Sequence, residues 1–236
     1  MKYIKKICII GGGGHVGFPL GLSLAAKKNF VYLYEKNRII CDKINNGIIP
    51  YYEINAKKFL KKYKKNLIAG YNSKYINNSD IIIICIGTPV DKRYQPELKN
   101  FLNLFYFLKK KINKNQIIII RSSVYPGITD KIKEILKDVN ENISYCPERI
   151  LQGKALLELP RLPQIISGYN KKSINVTKKL FNSISSKTIV TSVLEAELVK
   201  LFSNAWRYIN FATSNQFFMI CQNFHIDFNR VRKFMM

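Results

Sequence analysis

Cysteine is scarce in this sequence of 236 residues, and its five copies form no framework. They are odd in number, widely separated and include no CxxC pair; they are Cys8, Cys41, Cys85, Cys146 and Cys221. A disulfide scaffold and a structural zinc site both need cysteines grouped at short spacings. The distribution therefore favours small buried side chains in a reducing compartment, and no metal site is predicted.

Long hydrophobic runs are missing as well. The apolar runs Ile81–Ile86 and Ile117–Ile120 are much shorter than the roughly 20 residues of a membrane span. The N-terminal segment has no small-residue cleavage site, and glycines interrupt its apolar stretch at once, which argues against a signal peptide. We therefore expect a cytoplasmic protein without a membrane segment. The apolar share of 47% is sufficient for a proper core.

Acidic residues are few, and the imbalance gives a formal net charge of +24. Strongly basic proteins often bind nucleic acids. Here lysine, isoleucine and asparagine are enriched together, which is typical of AT-rich coding, and the lysines are spread along the chain. We interpret the charge as a solvated basic surface and expect no nucleic-acid partner; nucleic-acid binding is kept as an alternative.

Short apolar runs alternate with helical patterns from the start of the chain, as in βαβ units with a mostly parallel sheet. Strands are predicted at Ile4–Ile10, Phe30–Tyr34, Ile81–Ile86, Gln116–Ile120, Ile143–Tyr145, Gln164–Ser167 and Thr188–Val190. Helices are predicted at Val16–Lys28, Asn37–Asn45, Leu98–Ile112, Thr129–Asp138 and Lys171–Ile184. The expected fold is a doubly wound α/β sheet of the Rossmann type.

A different pattern begins near residue 195. The segment Glu195–Asn223 has no glycine or proline, and its apolar residues recur at helical spacing. This predicts a long α-helix that is largely covered and bridges two domains or two subunits. The predicted organisation is a cofactor-binding domain over residues 1–193, followed by this helix and the start of a second domain over 194–236.

The glycine loop that follows the first strand is the clearest motif. Gly12, Gly14 and Gly17 fit the GxGxxG pattern of dinucleotide-binding proteins. The first glycine allows a tight turn, the second lets the backbone approach a pyrophosphate, and the third permits close packing of helix and strand. His15 and Val16 complete the loop at the helix N-terminus, where N–H groups and the helix dipole favour phosphate. Gly11 and Gly13 are interpreted as extra residues that loosen the loop.

An acidic residue stands where such a fold needs one. Glu35 follows the second strand, and a carboxylate there accepts hydrogen bonds from a ribose hydroxyl and repels a 2′-phosphate. The pattern therefore predicts NAD as the cofactor, while Lys36 and Arg38 nearby leave NADP open. A surface glutamate at a strand end is the structural alternative.

Six stretches resemble, in order, motifs of the UDP-glucose/GDP-mannose dehydrogenases. They are GGGGHVGFPLG (Gly11–Gly21), INNGIIPYYE (Ile44–Glu53), CIGTPVD (Cys85–Asp91), RSSVYPGIT (Arg121–Thr129), YCPERILQGKALLEL (Tyr145–Leu159) and EAELVKLFSNAWRYINFATSN (Glu195–Asn215). The proline-glutamate-arginine form of the fifth is most similar to the branch that acts on UDP-N-acetylhexosamines. The resemblance implies NAD-dependent oxidation of a UDP-sugar at C6 to the uronic acid.

The resemblance also implies roles for single residues. Thr88 and Ser123 follow strands at the ligand edge of the sheet and are expected near the cofactor; Thr88 is equally compatible with a structural turn. Ser123 replaces the threonine usual in the family. Glu148 is assigned the role of assisting thioester hydrolysis, as a base or by holding a water. Gln152 stands where some members carry a glutamate that contacts the cofactor, which leaves the cofactor contacts there open.

Two further catalytic residues are implied on the long helix. Lys200 and Asn204 are four residues apart and share one face, where they would stabilise an alkoxide on the sugar as hydride leaves. Glu197 and His225 have no such support and are interpreted as structural.

Family chemistry further requires a cysteine nucleophile that captures the aldehyde and carries the thioester. The cysteine lies in a glycine-rich loop after the central helix, and the 236 residues contain no such loop; the domain that closes over the UDP group is also absent from them. We therefore expect this chain to supply the cofactor half only. A second chain that brings the other half is the alternative. The resemblance also implies a homodimer through the central helix.

Overall fold

The computed structural model describes residues 4–90, 92 and 97–235. Asp91, the last residue of the threonine-proline motif, lies outside the described part. The chain forms two compact units, Met1–Leu198 and Val199–Met236.

The first unit contains an eight-stranded sheet. Its strands are β1 (Lys6–Ile10), β2 (Phe30–Tyr34), β3 (Leu67–Gly70), β4 (Ile81–Ile84), β5 (Ile117–Ile120), β6 (Ile143–Tyr145), β7 (Gln164–Gly168) and β8 (Thr188–Val190). The strand order is β3-β2-β1-β4-β5-β6-β7-β8, and all neighbours are parallel except β6 and β7. The first six strands follow the order of a dinucleotide-binding fold, whose direction of winding reverses between β1 and β4.

Helices connect these strands. They are α1 (Gly17–Ala26), α2 (Arg38–Asn45), α3 (Ala56–Tyr63), α4 (Lys74–Asn77), α5 (Leu98–Lys109), α6 (Ile128–Leu136), α7 (Ala155–Glu158) and α8 (Lys171–Asn182). A single 3₁₀ turn, Lys64–Asn66, links α3 to β3. The long helix α9 (Val193–Asn223) and the short helix α10 (Phe228–Met235) follow.

The centre of the sheet is formed by isoleucine. The side chains of β4 and β5 are all buried, and Ile81 to Ile84 pair in register with Ile117 to Ile120. Parallel strands covered on both faces read as continuous apolar runs because neither face meets water. The core continues through the buried leucines of α1 and the strand β2.

The predicted Rossmann-type fold is confirmed, and most predicted elements are present within a few residues. The bounds of β2, β6 and β8 coincide with the predictions. Five elements were not predicted: α3, β3, α4, α7 and α10. The strand prediction Ile4–Ile10 was too long by two residues, since β1 begins at Lys6.

The second unit consists of the greater part of α9 together with α10. The expectation that the long helix is largely covered is wrong for this chain by itself. Most of its residues after Asn204 are exposed, including Ala205, and the side chain of Trp206 is 67% exposed. Among the described residues, none of the helices combines the length and hydropathy that crossing a bilayer needs.

Candidate cofactor-binding and catalytic site

The glycine loop, residues 11–17, lies between β1 and α1, at the point where the sheet reverses its winding. Gly11 has a φ of +77°, and a Cβ on it would lie 2.7 Å from the carbonyl oxygen of Cys85. The N–H groups of Gly11 and Gly12 donate to the carbonyl of Tyr34 at 3.1 and 3.3 Å. Gly11 therefore supplies the left-handed turn, and its interpretation as an extra residue is wrong.

Three other glycines of the loop are equally confined. A Cβ would lie 2.6 Å from Cα of Leu33 at Gly12, 2.7 Å from Oε2 of Glu35 at Gly13, and 2.4 Å from the carbonyl oxygen of Gly11 at Gly17. At Gly13, which was interpreted as an extra residue, the atoms met are side-chain atoms of Ile40 and Glu35, whereas Gly12 and Gly17 face backbone.

Gly14 is the exception in this loop. A Cβ there would meet one atom, the carbonyl oxygen of Gly11, at 3.4 Å. The helix α1 then begins at Gly17, and no described side chain caps it. The open side of Gly14 and the uncapped end of α1 together offer backbone N–H groups and the positive end of a helix dipole to an anionic group.

Glu35 directly follows β2 and is held by the backbone. Its Oε2 accepts from the N–H of Gly13 at 3.2 Å, and its Oε1 accepts from the N–H of Asn37 at 2.9 Å. Asn37 in turn caps α2 by accepting from the N–H of Ile40 at 3.3 Å. The carboxylate is thus oriented against the glycine loop, and this geometry suits the predicted contact with a ribose.

A cavity of about 690 Å³ opens beside the loop. Its lining residues are Ile10, Gly11, Gly14, Tyr34, Glu35, Lys36, Tyr71, Cys85, Ile86, Gly87, Asn100, Asn103, Leu104 and Phe107. Aromatic and aliphatic side chains form most of its wall, with one carboxylate at the glycine loop. The volume and the mixture of walls are typical of a site for a nucleotide-sized ligand.

Thr88 and Ser123 are brought together by the structure. The hydroxyl of Thr88 donates to the carbonyl of Ser123 at 2.6 Å, which ties the ends of β4 and β5 to each other. The hydroxyl of the neighbouring Ser122 donates to the carbonyl of Ile86 at 2.7 Å. The Ser123 hydroxyl has no hydrogen-bond partner among the described residues, so it is the one of the three that remains available to a ligand.

Glu148 is buried and forms an ion pair with Arg121, whose side chain is fully buried. Its other oxygen, Oε1, accepts from the backbone N–H groups of Arg149 at 2.7 Å and Ile150 at 3.1 Å. The guanidinium also donates to Oε1 of Gln164 at 3.2 and 3.3 Å. These partners favour the charged carboxylate. Both oxygens have donors, so the carboxylate is held in one orientation.

Sequence reasoning quoted Arg121 within a motif but gave it no role. Its Cζ lies 4.6 Å from the centre of the Phe181 ring, and it donates to Sγ of Cys146 at 3.2 Å. Burial raises the pKa of the Cys146 thiol to about 11 and that of Cys85 to about 12. Both thiols are therefore protonated at neutral pH and are poor nucleophiles.

Tyr51 and Glu53 were also missed, although the motif that contains them was recognised. The Tyr51 hydroxyl donates to the carbonyl of Gly14 at 2.6 Å. Oε1 of the buried Glu53 accepts from the N–H of Leu156 at 3.1 Å, at the start of α7. Burial raises the pKa of Glu53. The sequence signal for these two residues was a tyrosine and a glutamate that follow a loop containing glycine and proline.

Glu197 is fully buried, in agreement with its structural interpretation. It accepts from the N–H of Gly127 at 2.8 Å and from the N–H and hydroxyl of Thr129 at 3.0 and 2.6 Å. These donors lie at the N-terminus of α6, where a carboxylate also complements the helix dipole. His225 is exposed at the end of α9, with a φ of +54°.

Lys200 and Asn204 lie on α9 in the second unit. Nζ of Lys200 donates to Oδ1 of Asn204 at 3.3 Å, and both side chains are partly buried. The two side chains thus lie on one face of the helix, as their spacing predicts. Their relation to a sugar stays a prediction.

Comparison with known proteins decides the family. Residues 5–185 match the NAD binding domain of the UDP-glucose/GDP-mannose dehydrogenase family, and residues 194–236 match the central domain of the same family. The chain belongs to this family. The glycine loop and Glu35 accordingly lie in its NAD-binding domain, which confirms NAD as the cofactor.

Its relatives in the family include enzymes acting on several UDP-sugars. The UDP-N-acetyl-D-mannosamine dehydrogenase of Methanococcus vannielii is 33% identical over 235 residues, which are 95% of this chain and 53% of that protein. The UDP-glucose 6-dehydrogenase of Rickettsia prowazekii is 27% identical over 220 residues, which are 89% of this chain and 51% of that protein. The chain thus spans about half the length of the curated relatives it matches.

The fold agrees with solved structures of the same family. The structure of UDP-D-ManNAc dehydrogenase from Pyrococcus horikoshii matches with a TM-score of 0.86 and 25% identity. The match covers 95% of this chain and 56% of that one.

Proposed function

We propose that this chain binds NAD⁺ and supplies the cofactor half of a nucleotide-sugar 6-dehydrogenase, which oxidises a UDP-sugar to the UDP-uronic acid in two hydride transfers. The observation that carries the proposal is the glycine loop with its open face at Gly14, beside Glu35 and the 690 Å³ cavity. When bound, NAD⁺ accepts the hydride. The residues of this chain bind and orient it.

The binding roles follow from the local geometry. Gly14, His15 and Val16 face the pyrophosphate with their backbone, while Gly12 and Gly17 allow the close packing that the loop needs. Glu35 accepts from the ribose hydroxyls. The hydroxyl of Ser123, which has no partner among the described residues, is the proposed contact to the cofactor, whereas Thr88 donates to the Ser123 carbonyl.

Catalytic roles are proposed for residues of each unit. Glu148, held by its ion pair with Arg121, assists the hydrolysis of the thioester, as a base or by holding the water that releases the acid. Lys200 and Asn204, joined by a hydrogen bond on α9, stabilise the alkoxide of the sugar as hydride leaves. The cysteine that carries the thioester is supplied from outside the 236 residues. We also propose that the NAD-binding domain ends at residue 193, and that the central helix and the start of the second domain begin at residue 194.

The proposed substrate class is the UDP-N-acetylhexosamines. The proline-glutamate-arginine sequence at Pro147–Arg149 and the relatives named for UDP-N-acetyl-D-mannosamine support it. We also propose a homodimer that packs through the exposed apolar side chains of α9, and a cytoplasmic location. An NAD-binding module that works with a second chain would contain the same site, and co-purification of that chain would identify it.

Nucleic-acid binding remains the second candidate because the net charge is +24. Phosphate contacts make such binding strongly dependent on salt. Retention on DNA or RNA that persists at 0.05 M salt and disappears near 0.5 M, in a chain that does not bind NAD⁺, would favour it.

The proposed function is tested by titrating NAD⁺ and NADP⁺ into the purified chain and into the Glu35→Gln variant. The wild-type chain is expected to bind NAD⁺ more tightly than NADP⁺. Glutamine keeps one acceptor oxygen, for the N–H of either Gly13 or Asn37, and removes the charge that repels a 2′-phosphate. The ratio of the two affinities should therefore fall about tenfold or more in favour of NADP⁺. An unchanged ratio would refute the role of Glu35.

A further inference from the structure

The contact between Tyr51 and the glycine loop has no role in the function proposed above. Its hydroxyl reaches the Gly14 carbonyl at 2.6 Å, and the same carbonyl accepts from the N–H of Phe18 at 3.0 Å. The ring of Tyr51 lies 3.9 Å from that of His15, centre to centre, and meets the ring of Phe18 edge-on. The oxygen of Gly14 is therefore held from two directions.

Holding this oxygen also fixes a donor. The Gly14–His15 peptide is planar and trans, so its C=O and N–H point in opposite directions. The carbonyl points into the first turn of α1, toward the N–H of Phe18. The N–H of His15 must then point out of the N-terminal end of the helix, where an anionic group binds.

The segment that carries Tyr51 is itself anchored at its other end. Oε1 of Glu53 accepts from the N–H of Leu156, and the N–H of Ile54 donates to the carbonyl of Gly153 at 3.0 Å. Both partners belong to the stretch that follows Glu148 in the chain. Burial raises the pKa of Tyr51, which keeps its hydroxyl protonated and able to donate.

We propose that Tyr51 is a positioning residue for the dinucleotide: through the Gly14 carbonyl it orients the N–H of His15 toward the pyrophosphate. Because this rests on the proposed function, the expected effect is confined to ligands that contain a pyrophosphate. Adenosine contains no pyrophosphate, so its binding is expected not to depend on this peptide.

The test compares Tyr51→Phe with wild type and with Tyr52→Phe. Phenylalanine keeps the ring against His15 and removes one hydrogen bond. The matched control removes a hydroxyl from the neighbouring side chain, which is largely exposed. Affinities for NAD⁺, ADP and adenosine are measured by calorimetry or ligand-observed NMR, and thermal melts verify that each variant is folded.

Tyr51→Phe is expected to bind NAD⁺ and ADP about three- to tenfold more weakly, the usual effect of one hydrogen bond, with adenosine unchanged. Tyr52→Phe should match wild type for all three ligands. Equal NAD⁺ affinity in Tyr51→Phe and wild type, or an equal loss for adenosine, would overturn the inference and leave the proposed function intact. Failure of the wild-type chain to bind NAD⁺ would overturn both.

Discussion

At the scale of single residues, the chain buries two opposite charges beside its candidate site. Arg121 and Glu148 lie 27 residues apart in sequence and meet at the ends of β5 and β6. Taking both charges out of water is costly, and their attraction offsets part of that cost. Gln164 and two backbone N–H groups satisfy further positions, whereas the buried Nε of Arg121 has no partner among the described residues. Losing one partner therefore leaves a buried charge without compensation.

The first prediction concerns this pair. Arg121→Met and Glu148→Leu should each lower the free energy of unfolding by about 3–5 kcal/mol. The double variant should lose much less than the sum, because no unpaired charge remains. Urea denaturation of the four proteins measures the coupling; losses that add to within about 0.5 kcal/mol would show that the two side chains do not depend on each other.

Glu53 gives a second prediction, on pH. Its folded-state pKa is raised by burial, so its contribution to stability is full below about pH 4.5 and is lost as the pH rises through the folded pKa. The glutamine in Glu53→Gln cannot ionise, so this variant does not lose stability as the pH rises through that range. The variant should therefore gain stability relative to wild type between pH 4.5 and pH 7, measured by thermal melts; a constant difference over this range would contradict the raised pKa.

The sequence indicated the residue types of the site better than their contacts. Glu35 and Ser123 were predicted from their places after strands, because the carboxyl ends of parallel strands share one edge of the sheet, and Glu148 from its family motif. Arg121 follows four isoleucines, and that placement was a signal for a buried cation. Its partner could not be identified, since nothing local relates a residue of β5 to a loop after β6.

At the scale of elements, the long helix α9 begins with a reciprocal cap. The hydroxyl of Thr191, the N–H of Ser192 and the hydroxyl of Ser192 all donate to Oε2 of Glu195, and the N–H of Glu195 donates to the Ser192 hydroxyl at 3.3 Å. This is the capping-box arrangement, which satisfies N–H groups that a helix leaves open. The same hydrogen bonds lower the pKa of Glu195 to about 2.

A third prediction follows for Glu195→Ala. The carboxylate's contribution is present above its unfolded pKa near 4.5 and is lost as the pH falls toward 2. The melting temperature of the variant should therefore lie below that of wild type at pH 5–7, and the gap should close under acid conditions. Glu195→Gln is the matched control, since glutamine can form the same cap. A gap that is as large at pH 3 as at pH 7 would contradict this account.

Strongly patterned elements were predictable, and weakly patterned ones were not. The strand β2 (FVYLY) is an apolar and aromatic run between Asn29 and Glu35, and β6 (ISY) and β8 (TIV) are rich in β-branched and aromatic residues, so their predicted bounds agree with the structure. The edge strand β3 has the sequence LIAG, whose alanine and glycine have low strand propensity, and a lysine-rich helix precedes it. Tertiary pairing with β2 stabilises it, and a local pattern does not reveal that.

At the scale of the whole molecule, the apolar surface of α9 is the feature that the chain leaves uncovered. Aromatic and aliphatic side chains along it are exposed: Phe202, Trp206, Tyr208, Ile209, Phe211, Phe217, Phe218, Met219 and Ile220. Large exposed apolar side chains in this number on one helix usually mark an interface. The homodimer proposed above would cover it.

A fourth prediction tests that interface. The chain should sediment as a dimer at micromolar concentration, and Trp206→Glu should shift it toward the monomer, because a charge would be buried in the contact. Tyr106→Glu is the control, since Tyr106 is an exposed aromatic on α5 in the first unit. A monomeric wild-type chain, or equal effects of both substitutions, would contradict the dimer through α9.

The measurement that tests the central claim most directly is a calorimetric titration of NAD⁺ into the wild-type chain and into Gly14→Val. A side chain at Gly14 meets little of the protein, so the variant should fold with a nearly unchanged melting temperature. The same side chain would occupy the space that the pyrophosphate needs. Saturable binding by wild type and none by Gly14→Val is the predicted result. Equal binding by both folded proteins, or no binding by folded wild type, would contradict the assignment of this loop as the cofactor site.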